Sequence, residues 1–157
     1  MTYRLRALSA SDVTELEQVR QFFRNYAAWL GVDFSYQGFA DEVANLPGAY
    51  GEADGRLFFA EMDGVPCGCV GVRRFSEGVC EMKRLYVRPG FRGLRLGRQL
   101  VEQTLLLAQQ AGFDSMLLDT LSDMEAAREL YQDCGFVEVA PYYHNPLPGA
   151  HYLKVEL

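Results

Sequence analysis

The stretch VCEMKRLYVRPGFRGLRLGRQL, Val79 to Leu100, decides how the rest of the chain is read. Its first half, Val79 to Val87, has the branched and aromatic content of a strand. Pro89-Gly90 breaks the strand. After Arg92, the residues Gly97, Leu100, Val101, Thr104, Leu105 and Ala108 recur on one helical face, and Ala111-Gly112 closes the helix. A helix that opens directly behind a strand leaves its first backbone N–H groups without partners, at the positive end of the helix dipole. That is a natural site for a phosphate. Gly93 allows close approach of the backbone, Gly97 allows tight packing, and Arg92, Arg95 and Arg98 add charge.

The wider chain has 157 residues, of which 49% are hydrophobic, 23% charged and 13% aromatic. This is the size and composition of one globular domain, 1–157, able to bury roughly two-thirds of its unfolded surface. No apolar run approaches the roughly 20 residues of a membrane span. MTYRLRALSA lacks the apolar centre of a secretion signal, so a cytoplasmic location is expected and a membrane partner is not. The net charge of -6 argues against a general nucleic-acid binder. Yet Lys83, Arg84, Arg88, Arg92, Arg95 and Arg98 form a basic run free of acids. It reads either as a solvated helix face or as a cationic patch for a compact anionic ligand. Cys67, Cys69, Cys80 and Cys134 lack metal-ligand spacing and read as buried free thiols; no metal is expected.

Working outward, Tyr3 to Leu8 reads as a strand. Ser11 and Asp12 read as caps of a helix that carries Val13, Leu16, Val19, Phe23, Ala27 and Leu30 and stops at Gly31. Asp33 to Gly48 reads as a loop and a shorter helix. Strands follow at Arg56 to Met62, Pro66 to Phe75 and Val79 to Val87, the first two joined by an Asp63-Gly64 hairpin turn. Ser115 to Thr120 reads as a strand buried on both faces, parallel to Val79–Val87. Ser122-Asp-Met-Glu125 reads as a capping box for a helix to about Cys134. Phe136 to Ala140 and His151 to Leu157 are the last strands. The predicted order is β-α-α-β-β-β-α-β-α-β-β, one α/β fold with a mixed sheet of about seven strands and four helices.

The loop is neither a Walker A motif nor a dinucleotide fingerprint, because Gly-Lys-Ser/Thr and G-x-G-x-x-G are both absent. A nucleotide-binding scaffold is therefore disfavoured. Instead, Glu81 to Leu100 resembles the acetyl-CoA-binding core of the GNAT superfamily of N-acetyltransferases. The Arg/Gln-x-x-Gly-x-Gly/Ala loop of that family falls on Arg92, Gly93, Leu94, Arg95, Leu96 and Gly97. ARELYQDCGF, Ala127 to Phe136, is similar to its A-x-x-L-Y-x-x-x-G-F segment. Two residues depart from the pattern. Arg95 replaces a glycine, which is unstrained if it belongs to the first helical turn. Met124 stands where many members carry an asparagine that touches the cofactor.

The resemblance implies a GNAT-like fold and transfer of acetyl from acetyl-CoA to an amine by direct attack. It places the CoA diphosphate on the backbone from Arg92 to Gly97, with the Arg92 and Arg98 side chains. The pantetheine arm falls along Leu85, Tyr86 and Val87, and the amide near Val87 is offered as an oxyanion donor. Tyr131 matches the general acid of the family; read without the resemblance, it is a core tyrosine. For the general base the residues offer Glu81, His144 or ordered water. Glu81 also reads as a simple ion-pair partner of Lys83 or of an arginine across the sheet. Asp33, Phe34, Tyr36, Tyr142, Tyr143 and His144 lie in the two loops that would line an acceptor pocket, and aromatics with one carboxylate suit a cationic amine. The leading expectation is a small-molecule or amino-acid-like acceptor. The alternatives are a protein or peptide acceptor and a non-catalytic CoA-binding module, as monomer or homodimer.

Overall fold

Strand β4 (Val79–Val87) runs through the middle of a seven-stranded mixed sheet in the computed structural model. The structure describes residues 2–31, 33–35, 38–51, 55–93, 95–122 and 124–157. Leu94 and Tyr36, both singled out above, lie outside the described residues. The chain begins with β1 (Tyr3–Ala7), α1 (Val13–Leu30) and α2 (Phe39–Ala44), followed by a 3-10 turn at Gly48–Gly51. Then come β2 (Arg56–Met62), β3 (Val65–Ser76), β4, α3 (Leu96–Gln110), β5 (Ser115–Leu121), α4 (Glu125–Asp133), β6 (Val137–Val139) and β7 (Ala150–Glu156). The sheet order is β1-β2-β3-β4-β5-β7-β6. Only the β4–β5 pair is parallel among the described pairings. The predicted order of elements holds throughout.

Helices cover both faces, so the central strands carry nearly unbroken apolar runs. Phe58, Ala60, Val70, Val72, Cys80, Met82, Met116 and Leu118 face α3, whose Leu96, Leu100, Val101 and Ala108 complete that layer. Leu57, Phe59, Cys69 and Tyr86 face α1, which answers with Leu16, Val19, Phe22 and Phe23. Each large side chain so buried contributes about 1.5–3 kcal/mol. Cys67, Cys69 and Cys80 are buried free thiols, and burial pushes Cys67 up to about 11 and Cys80 to about 12.

The faces of β4 change parity part-way along. Cys80 and Met82 face α3, but Tyr86 faces α1. Lys83 is opposite Gly71 and Tyr86 is opposite Cys69, so β4 carries one extra residue there. Arg84 takes the strain of this bulge, with φ 61. Gly68 makes the close approach possible: a Cβ there would meet the Tyr86 carbonyl oxygen at 2.6 Å.

Helix ends differ from the sequence reading. Gly31 does stop α1, in the left-handed region, with its N–H on Ala27 and Ala28. Asp12 occupies the N-cap position, but its carboxylate accepts from the Ser9 backbone N–H instead of the helix. The Ser122–Glu125 capping box does not form. Helix α4 starts at Glu125 with Met124 at its N-cap, while Ser122 donates to the Gly149 carbonyl at 3.0 Å. A local turn takes the Asp12 carboxylate, and a distant partner takes the Ser122 hydroxyl.

The Gly68→Ala variant is expected to lose about 1–3 kcal/mol, because the added methyl must push backbone at the bulge. Urea denaturation of the two proteins measures this.

Candidate active site

The β4–β5 ladder is short. Val79, Cys80 and Glu81 pair with Ser115, Met116 and Leu117, and no further pair forms among the described residues. Beyond that point the strands part, and the β4 edge is open from Met82 onward. Two cavities fill the opening. The donor-side groove, about 560 Å³, is lined by Leu85, Tyr86, Val87, Arg92, Gly93 and the start of α3 from Arg95 to Arg98, with α4 opposite. A narrow inner cavity, about 30 Å³, lies between Tyr26, Phe34, Lys83, Asp119 and Asn145. Leu85, Met124 and Tyr131 border both.

The groove collects every donor-side residue named from the sequence that the structure describes. Its chemistry fits an anionic ligand with an extended amide arm. Gly93 has φ 86, and nothing lies within 4 Å of where its Cβ would be. The first amides of α3 lie at the groove. Arg95 corrects the sequence reading: it is the N-cap of α3 with φ 60 and ψ 17, not a residue of the first helical turn. A left-handed arginine is strained where glycine would not be. Arg98 pairs with Glu102 at 2.8 Å on the exposed helix face. Such a pair is weak and exchangeable. Arg92 donates through Nε to the Val87 carbonyl at 2.8 Å and lies over the Trp29 ring at 4.4 Å.

The basic run therefore divides. Arg92, Arg95 and Arg98 face the groove, but Lys83 and Arg84 are buried in ion pairs. Arg84 bonds Glu42 at 2.9 Å and lies against the rings of Phe34 and Phe39, at 4.9 and 5.0 Å. Burial alone would raise the Glu42 carboxyl, but the hydrogen bonds and charge of Arg84, with the Tyr50 hydroxyl, hold it below its ordinary value. This pair pins α2 to the bulge.

A family comparison identifies this arrangement. Residues 16–136 match the model of the acetyltransferase (GNAT) family. An uncharacterized N-acetyltransferase of Schizosaccharomyces pombe is 40% identical, covering 91% of this chain and 89% of its own. The chain belongs to the GNAT acetyltransferase family. It is an N-acetyltransferase whose acetyl donor is acetyl-CoA. The fold is shared with an acetyltransferase of Streptococcus agalactiae, at TM-score 0.79 and 20% identity over 99% and 98% of the two chains. It is also shared with the PaiA N-acetyltransferase of Thermoplasma acidophilum, solved with coenzyme A, at TM-score 0.72 and 16% identity over 100% of both chains.

In this GNAT chain Tyr131 is buried, stacked edge-on against Phe136. Burial pushes its hydroxyl far above the ordinary tyrosine value, and Tyr26, Asp119 and Cys134 add to the push. No hydrogen bond to its hydroxyl occurs among the described residues. Met124 borders the same space, and Thr120 donates to its sulfur at 3.5 Å.

Glu81 is only 3% exposed. Its Oε1 accepts from Arg73 Nε and Nη2 at 3.1 and 2.9 Å, and its Oε2 accepts from the Tyr142 hydroxyl at 2.7 Å. Arg73 is its partner across the sheet, so the ion-pair alternative named above is realised. Lys83 links Glu81, 3.9 Å away, to Asp119, 3.3 Å away. Asp119 also accepts from the Tyr143 hydroxyl and from Asn145 at 3.1 Å. Tyr142 and Tyr143 thus tie the loop 141–149 to the opened strands. Two other residues named from the sequence stand apart. His144 is exposed and lines neither cavity, because the loop is anchored through its tyrosines. Asp33 is exposed and accepts from the Ser35 backbone N–H at 2.8 Å, so it shapes its own loop, while Phe34 alone of that pair lines the inner cavity.

Asp119, Lys83 and Arg84 were not picked out as site residues from the sequence. Asp119 had a visible signal, being the one charge inside the apolar run SMLLDTL. Arg84 had none, because a left-handed bulge residue has no sequence pattern.

Two outcomes are expected. The unfolded chain protonates Glu42 more readily than the folded one. As pH falls below the ordinary value of 4.5, stability drops through this group. The Glu42→Gln variant is expected to show a shallower acid limb in denaturant titrations across pH, and to lose about 3 kcal/mol at neutral pH by leaving Arg84 unpaired. The Arg95→Gly variant is expected to gain about 0.5–1 kcal/mol in the same measurement at neutral pH, by relieving the left-handed strain.

Proposed function

We propose that this N-acetyltransferase acts on the amine of a small-molecule or amino-acid-like acceptor, by direct attack within a ternary complex. One observation carries the reading. Tyr131 stands in the wall between the donor groove and the inner cavity, where the parted strands leave room for a reacting centre and little else.

On the donor side, the amides that open α3 and the side chains of Arg92 and Arg98 take the diphosphate. The free edge of β4 at Leu85, Tyr86 and Val87 pairs with the pantetheine amides as an added strand would. The amine attacks the thioester carbonyl, and an amide near Val87 stabilises the oxyanion that forms. The C–S bond then breaks, Tyr131 gives its proton to the departing thiolate, and the proton that the nitrogen sheds as the amide forms restores the phenol. Burial raises the hydroxyl's pKa and makes it a weaker acid, so the role rests on its place between the two cavities.

Glu81, the candidate base, is better read as the anchor of loop 141–149, with both carboxylate oxygens already engaged. His144 lines neither cavity. The ammonium proton is therefore left to ordered water, the third of the candidate bases. The small inner cavity and the pinned loop favour a compact acceptor over a protein segment.

The test is thiol release from acetyl-CoA over a panel of amines, amino acids, polyamines and peptides. Turnover of peptides alone would overturn the small-acceptor reading. Acetyl-CoA binding without turnover of any amine would favour the non-catalytic module. The Tyr131→Phe variant is expected to lose about 100-fold or more in kcat while acetyl-CoA binding stays within about twofold. Equal losses in both would make Tyr131 structural.

A further inference from the structure

Trp29 is the only tryptophan in the chain and is 55% exposed. It lies on the last turn of α1, seven residues after Phe22, and so on nearly the same helical stripe. Phe22 belongs to the core and meets the Tyr86 ring at 5.4 Å between centroids. The stripe continues past that contact and delivers the indole to the wall of the donor groove, beside Val87 and Arg92. A large apolar ring left half in solvent contributes little to the core. What it does touch is a cation.

The Arg92 guanidinium is held on three sides. Its carbon lies 4.4 Å from the Trp29 centroid and 5.8 Å from that of Tyr86. Its Nε donates to the Val87 carbonyl at 2.8 Å. Among the described residues, Nη1 and Nη2 have no hydrogen-bond or ion-pair partner. A guanidinium held over a ring keeps its N–H donors available, and the Nη1 and Nη2 fork matches two oxygens of a phosphate. An exposed arginine that binds a phosphate ordinarily loses rotamer freedom in doing so. Here the ring contact has ordered the side chain beforehand, and preorganisation lowers the cost of binding.

We propose that Trp29 is a positioning residue of the donor site: it holds the Arg92 guanidinium over its ring and presents Nη1 and Nη2 to the diphosphate of acetyl-CoA. The proposal rests on the reading of Arg92 as a phosphate ligand. It places a residue of α1 in a site otherwise built from β4, α3 and α4. It also ties donor binding to the helix whose Tyr26 lines the inner cavity.

The single tryptophan provides its own probe. Titrating CoA into the wild-type protein is expected to change indole emission in a saturable way, and pantetheine, which lacks the diphosphate, is expected to leave it unchanged. In steady-state assays Trp29→Ala is expected to raise KM for acetyl-CoA about 5- to 10-fold with kcat within about twofold, the size of one cation–π contact. Trp29→Phe, with a weaker ring, falls between. In an Arg92→Ala background, Trp29→Ala is expected to add less than about twofold, because the partner is gone. The proposal is overturned if Arg92→Ala raises KM and Trp29→Ala does not, or if the two effects simply add. It is also overturned if pantetheine moves the emission as CoA does. If Arg92→Ala leaves KM unchanged, the phosphate reading of Arg92 itself fails, and the inference fails with it. Should Trp29→Ala not fold, the KM of Trp29→Phe and the wild-type emission separate the same outcomes.

Discussion

Two neighbouring strands that share three residue pairs and then separate leave a hole in the middle of a sheet. The functional geometry of this protein depends on that separation of β4 from β5 after Glu81 and Leu117. An open strand edge is costly unless something pairs with it. Here the edge from Leu85 to Val87 lines the donor-side groove. The bulge at Arg84 shifts the parity of β4 and packs the Tyr86 ring against α1, and Leu85, Tyr86 and Val87 all line the groove.

The root of the opening is held by charge. Lys83 spans from Glu81 to Asp119, and Arg84 reaches Glu42 on α2. Buried ion pairs are weak sources of net stability, but removing one partner is severe. Their effect here is positional: the Lys83–Asp119 pair bridges β4 and β5, and the Arg84–Glu42 pair fastens α2 to β4. The tyrosines of loop 141–149 complete the arrangement by donating to Glu81 and Asp119. The two cavities meet at Tyr131, where burial holds the ring and raises the pKa of its hydroxyl.

Much of this was legible along the chain. Strands β2 and β4 have the boundaries that their residue patterns predict, and β5 differs by one residue. Near-continuous apolar runs and a proline-glycine break are local signals that tertiary contacts reinforce. The strand–loop–helix unit with Gly93 and Gly97 marked the donor groove, and all its described members do come together. Helix starts were less legible. Asp12 and Ser122 are good caps by residue type, yet each spends its oxygen elsewhere, on Ser9 in one case and on Gly149 in the other. Arg95 reads as helical because arginine seldom adopts a left-handed backbone, and here it does.

What the sequence determined by itself is the set of elements, their order, the donor loop and the tyrosine beside it, because each is written in residues close together along the chain. Which charges face a ligand and which face each other was decided only by the tertiary structure. Lys83 and Arg84 sit in the same basic run as Arg92 and Arg98, but their partners, Asp119 and Glu42, lie dozens of residues away. His144 and Asp33 were plausible site residues by chemistry alone, and the anchoring of their loops turned them outward. The physical reason is the same in each case. Residue type and spacing specify what a side chain can bond, whereas the pairing of distant strands specifies what lies within its reach.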